Sequence, residues 1–243
     1  MTVLVFVHGC PETAAIWEPL LDSLGRDDVT CLSPPGFGAP LPDGFGATAD
    51  EYDSWLVAEL EAFSDPVDLV GHDLGSTHAI RVATTRPDLV RSWAGDTIGR
   101  FHPDYRRHYL ALLWQTPGVG EVDLARRFGG SVAERTAALV ARGVPADVAA
   151  RIAPEQNPTM AKAVLAHHRS ITALSPPPVV HRPGLAIVAT ADNTVGTEVQ
   201  RHSAAAAVGA DVEVLEGVGR WWMVQDPHGA AKVLTRFWES LPA

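Results

Sequence analysis

Mostly apolar and β-branched runs of four to six residues recur along the chain at 2–7, 29–32, 67–70, 90–94, 185–189 and 212–215. Their apolar positions are largely consecutive, as in strands buried on both faces of a parallel sheet, rather than alternating, as in a sheet with one wet face. Stretches with helical spacing, such as 49–63, 78–86 and 228–241, separate most of them. This alternation predicts βαβ units and an α/β fold, with a doubly wound, mostly parallel sheet of about six strands. The rhythm breaks between 97 and 182, where helix-like patterns punctuated by Pro and Gly continue without a strand candidate. That segment is expected to form an inserted helical cap, with residues 1–96 and 183–243 making the core. Pro176, Pro177 and Pro178 are expected to stop the last cap helix and lead the chain back, extended, to the sheet.

A length of 243 residues at 46% hydrophobic content suffices for one core carrying an insertion. The formal charge of −10 argues against nucleic acid or an anionic membrane surface as partner, since both reward clustered Lys and Arg. A small-molecule substrate is the expected partner, and association into a homodimer stays open. The only cysteines are Cys10 and Cys31, no basic leader precedes the first apolar run, and no apolar run approaches the roughly 18 residues of a membrane span. A reduced, cytoplasmic protein is expected, without a metal or an organic cofactor.

Chemistry concentrates at Gly71-His72-Asp73-Leu74-Gly75, which follows an apolar run and opens a helical pattern. A sharp strand-to-helix turn of this kind presents its central side chain to a pocket, and flanking glycines remove Cβ atoms that would clash in the bend. Asp73 is then a carboxylate above a helix N-terminus, kept ionised and able to attack carbon. The plainer alternative is an N-cap aspartate.

Together with His8-Gly9-Cys10-Pro11 and Pro35-Gly36-Phe37-Gly38, this turn resembles the motifs of α/β-hydrolase-fold epoxide hydrolases and haloalkane dehalogenases. The resemblance implies an α/β-hydrolase fold, with an oxyanion hole built from the backbone N–H groups of Cys10 and Leu74. The Cys10 thiol itself is not expected to react. Dehalogenases of this branch carry Trp after the nucleophile, where this chain has Leu74, which favours an epoxide or another oxygen-bearing electrophile.

In that fold an acid follows a late strand and a histidine lies near the C-terminus. Asp192 follows the run 185–189 and is the expected acid, with Asp96 as the fallback. The segment Gly219-Arg220-Trp221-Trp222 resembles the terminal Gly-His-Trp motif, but Arg220 occupies the histidine position. A guanidinium cannot accept the proton of an attacking water near neutrality. An ester on Asp73 is therefore expected to form, with its hydrolysis impaired or altered. His78, His167, His168 and His228 are weaker candidates for a replacement base.

Epoxide hydrolases of this fold place cap tyrosines on the departing oxygen. Tyr105 and Tyr109 are the candidates, and their spacing puts both on one face if the segment is helical. Trp114, Trp221 and Trp222 are candidates for an apolar pocket wall. Two other classes stay open: a lyase, isomerase or cyclase using Asp73 as proton shuttle and Arg220 as anion stabiliser, and a binder without turnover. The chain starts at what would be the fold's third strand, as in plant hydroxynitrile lyases, although those carry Ser at the turn.

Overall fold

Each of the six apolar runs forms a strand in the computed structural model, which describes residues 2–171 and 181–242. Strands β1 (Leu4–Val7), β2 (Val29–Leu32), β3 (Val67–Gly71), β4 (Val90–Gly95), β5 (Gly184–Ala189) and β6 (Asp211–Leu215) pair in parallel in the order β2-β1-β3-β4-β5-β6. The consecutive apolar pattern has the expected cause. In β1, Leu4 and Phe6 enter one core with Trp17, Leu20 and Phe237, while Val5 and Val7 enter another with Ile80, Val82 and Trp93.

Helices α1 (Glu18–Leu24), α2 (Ala49–Leu60) and α3 (Leu74–Thr85) lie between the first four strands. Thr48 starts α2 with a reciprocal cap, accepting from the Glu51 N–H at 3.3 Å while Glu51 accepts from the Thr48 N–H at 3.0 Å. Helix α3 begins at Leu74, directly after Asp73, where the glycine-flanked turn is expected to open a helix.

From β4 the chain passes through a 3₁₀ turn (Ile98–Phe101) into α4 (Tyr109–Gln115), α5 (Val119–Phe128), α6 (Val132–Val140), α7 (Ala146–Ile152) and α8 (Pro158–Ser170), with no strand among the described residues. Trp114, Leu124, Phe128, Met160 and Val164 of these helices share a core with Cys10 and Phe37 from the sheet's loops, Tyr52 of α2 and Leu74 of α3. Full burial of one such side chain contributes about 1.5–3 kcal/mol, so the excursion is seated on the sheet rather than loosely tethered. Pro176, Pro177 and Pro178 lie outside the described residues. The chain then completes the sheet with β5 and β6, joined by α9 (Glu198–Val208) and followed by α10 (Trp222–Gln225) and α11 (Pro227–Ser240). No helix among the described residues is long and apolar enough to cross a membrane.

Strand order reverses between β1 and β3, because β1 connects outward to β2 on one side and pairs with β3 on the other. In an open α/β sheet, the carboxyl ends at such a reversal leave a crevice for ligands. Cys10 follows β1 there, and Asp73 follows β3.

Candidate active site

Asp73 sits at the apex between β3 and α3 with φ 49° and ψ −116°, a backbone region that non-glycine residues rarely adopt. The bend is tight. A Cβ on Gly71 would run into the Ser76 backbone, and one on Gly75 into the Val7 carbonyl oxygen. Asp96 Oδ1 accepts the Asp73 N–H at 3.0 Å, which ties the strained residue to the end of β4. Asp73 is 6% exposed and lines a cavity of about 410 Å³.

Beneath the apex lies a buried network. His72 Nδ1 contacts Asp96 Oδ2, and His72 Nε2 lies 3.4 Å from Glu12 Oε2. Burial opposes a charge on His72, but the two carboxylates outweigh it and push its pKa up to about 10, so the ring is an imidazolium. Trp222 Nε1 donates to Asp96 at 2.8 Å, and Trp221 Nε1 donates to Glu12 at 2.7 Å. Asp96 is therefore consumed in holding the elbow and does not line the cavity. Trp222 is fully buried and also stays off the cavity wall, contrary to its expected place there, because its indole N–H is drawn inward to Asp96.

On the cavity side, Asp73 Oδ2 accepts the Cys10 backbone N–H at 3.1 Å. Leu74 opens α3, so its N–H belongs to the first helical turn, whose donors have no intrahelical partner. Burial pushes the Cys10 thiol well up, which disfavours a thiolate. Arg220, from the loop between β6 and α10, places Nη2 2.7 Å from Asp73 Oδ1. Arg100, from the turn after β4, lies 3.8 Å from the same oxygen. Burial alone would raise the Asp73 pKa, but Arg220, Arg100 and His72 together hold it well below the usual carboxylate range. Asp192 does not pair directly with Arg220. Its Oδ1 accepts from the Thr194 N–H at 2.7 Å and hydroxyl at 2.6 Å, and Arg220 Nη1 donates to that hydroxyl at 3.0 Å.

Polar groups from the ends of five parallel strands thus converge on one carboxylate held at a strand-to-helix apex. A sequence model of the alpha/beta hydrolase family matches residues 4–233. The chain belongs to the alpha/beta hydrolase family. Among curated proteins, (E)-2-((N-methylformamido)methylene)succinate hydrolase of Acinetobacter baylyi is 31% identical over 93 residues, 37% of this chain and 35% of that protein. Epoxide hydrolase 2 of Siraitia grosvenorii is 32% identical over 139 residues, 49% of this chain and 43% of that protein. The matches span less than half the length of either relative. A Bacillus megaterium epoxide hydrolase solved with an inhibitor superposes at a TM-score of 0.78 and 17% identity, covering 99% of this chain and 94% of that one, a likeness of fold.

In this alpha/beta hydrolase, Tyr105, Tyr109, Trp114 and Trp221 all line the cavity around Asp73. The two tyrosines do not share a helical face, however. Tyr105 lies in irregular chain, and α4 starts only at Tyr109, because His108 is extended and its side chain accepts from the Leu110 N–H as an N-cap. The Tyr105 hydroxyl donates to the Thr194 carbonyl at 3.2 Å, while Tyr109 is 62% exposed. Of the candidate replacement histidines, only His168 lines this cavity, joined there by His108. Burial lowers both, His168 to about 4, so each is a neutral and weakly basic imidazole at neutral pH. His78 and His167 pair with each other, Nε2 to Nε2 at 3.0 Å, and neither lines this cavity.

Glu12, His72, Arg100, Arg142 and Thr194 carry no local pattern that singles them out. The one signal for them is position, since Arg100 follows the end of β4 and Thr194 the end of β5, where ligands of α/β sheets bind.

Proposed function

We propose that this alpha/beta hydrolase is an epoxide-hydrolase-like enzyme whose nucleophile is Asp73 and whose hydrolytic step is impaired by Arg220. The helices of 97–182 act as the cap, and the remainder as the core. An Asp73 carboxylate oxygen attacks a carbon of a small organic electrophile, the carbon–oxygen bond of the ring breaks, and the alkoxide takes a proton from a tyrosine of the cavity, Tyr105 or Tyr109. An ester on Asp73 remains. Its cleavage needs water to lose a proton, with the Cys10 N–H stabilising the developing oxyanion. The guanidinium of Arg220 cannot take that proton.

The observation that carries this reading is the pair of contacts on Asp73: the Cys10 N–H at 3.1 Å on one oxygen and Arg220 at 2.7 Å on the other. The same contacts weigh against Asp73 as a proton shuttle in a lyase or isomerase, because a carboxylate held so far below its usual pKa is a poor proton acceptor. Relatives named epoxide hydrolase and substituted-succinate hydrolase support an electrophilic small-molecule substrate. The test is intact-mass analysis after incubation with a panel of epoxides. One added epoxide mass on the peptide containing Asp73, absent from Asp73→Asn, is the expected result; unmodified protein across the panel would overturn it.

A further inference from the structure

Three guanidiniums border the cavity, Arg100, Arg142 and Arg220, against two carboxylates, Asp73 and Asp192. The histidines on its wall, His108 and His168, add no charge at neutral pH. On the cavity wall itself one positive charge is left over, in a chain whose formal net charge is −10.

The excess falls on two arginines that the nucleophile does not use up. Arg220 takes the short contact with Asp73, so Arg100 is left at 3.8 Å from that carboxylate and 3.5 Å from the Thr77 hydroxyl. Arg100 is only 7% exposed, and its Nε has no hydrogen-bond partner among the described residues. A buried guanidinium is ordinarily supplied with acceptors, because leaving its donors unmade costs the desolvation of a charged group. Arg142, in the turn after α6, is exposed to solvent and makes no ion pair among the described residues. It also borders an adjoining cavity of about 300 Å³, with Pro11 and Trp114 as the rest of the shared wall. Guanidinium donors therefore run from the solvent-exposed wall to the buried wall beside Asp73.

We infer that the electrophile this cavity takes is a small carboxylic acid, its carboxylate received on the Arg142 side of the cavity while Arg100 adds positive charge beside Asp73; the inference rests on the reading of this cavity as the active site. One negative charge matches the one positive charge left over, and a planar carboxylate fits the guanidinium fork better than a neutral group does. Such a substrate brings a second anion towards the Asp73 nucleophile, and the surplus guanidiniums offset the repulsion.

Calorimetry with unreactive ligands tests this. 3-Phenylpropanoate is expected to bind at least about tenfold more tightly than 3-phenylpropanamide, a difference of about 1.4 kcal/mol. Arg142→Gln is expected to remove most of that preference, and Arg142→Glu to invert it. Equal binding of acid and amide, or a preference unchanged in both variants, would overturn the inference. Neither ligand can alkylate Asp73, so the two readings fail separately. An Asp73 adduct without anion preference overturns only the substrate class, whereas anion preference without any adduct supports the charged site and overturns only the nucleophile.

Discussion

Arg220 Nη2 lies 2.7 Å from Asp73 Oδ1, so the carboxylate aimed into the cavity faces a permanent cation. An imidazole at that place can be neutral and accept a proton; a guanidinium cannot. The contact keeps Asp73 ionised while lending it nothing for the second half of a hydrolysis.

The pH dependence of the first half follows. Burial raises the Asp73 pKa, but Arg220, Arg100 and His72 outweigh it and leave the group ionised well below neutrality. The rate of Asp73 alkylation by an epoxide should therefore stay within roughly twofold between about pH 5 and pH 8, the range above the usual carboxylate values. Arg220→Gln removes the largest favourable partner and raises the pKa, so its rate should begin to fall as pH drops through the new value. Intact-mass time courses at stepped pH measure both. A wild-type rate that climbs through neutrality would contradict this.

Stability carries a signature of the network under the elbow. A histidine raised from about 6.5 unfolded to about 10 folded contributes stability that is complete below the first value and lost as pH rises through the second. Urea denaturation should show unfolding free energy declining across that window. His72→Gln leaves Asp96 and Glu12 buried without their shared cation, at an expected cost of about 3–5 kcal/mol near pH 6, and should flatten the decline.

Gly75→Ala tests the closeness of the elbow to β1. The new methyl meets the Val7 carbonyl oxygen, which is held in the sheet and cannot swing aside. A loss of about 1–3 kcal/mol is expected by thermal or denaturant unfolding, with a slower Asp73 alkylation rate in the folded variant. An alanine variant as stable and as reactive as wild type would show that the apex is looser than its geometry indicates.

What could be read from the sequence was local. The strands declared themselves because burial on both faces forces consecutive apolar residues, as in Leu4–Val7. The Asp73 apex was legible because Gly71 and Gly75 are required by backbone approach, and such a requirement leaves its mark within five residues. Glu12 against His72, or Arg100 beside Asp73, was not legible, because these contacts join segments that meet only after the sheet has closed. The tyrosine spacing misled for a related reason. Four residues imply one helical face only if the helix spans both, and the His108 cap starts α4 between them.

The fate of the Asp73 ester separates a stalled hydrolase from any other use of this cavity. Wild type and Arg220→His are each treated with the same epoxide, freed of excess reagent, and followed by intact mass alongside diol release. Wild type should keep its adduct with almost no diol, while Arg220→His should form the same adduct and then lose it as diol appears. Steady diol release by wild type, with no gain in Arg220→His, would contradict a blocking role for the guanidinium at residue 220.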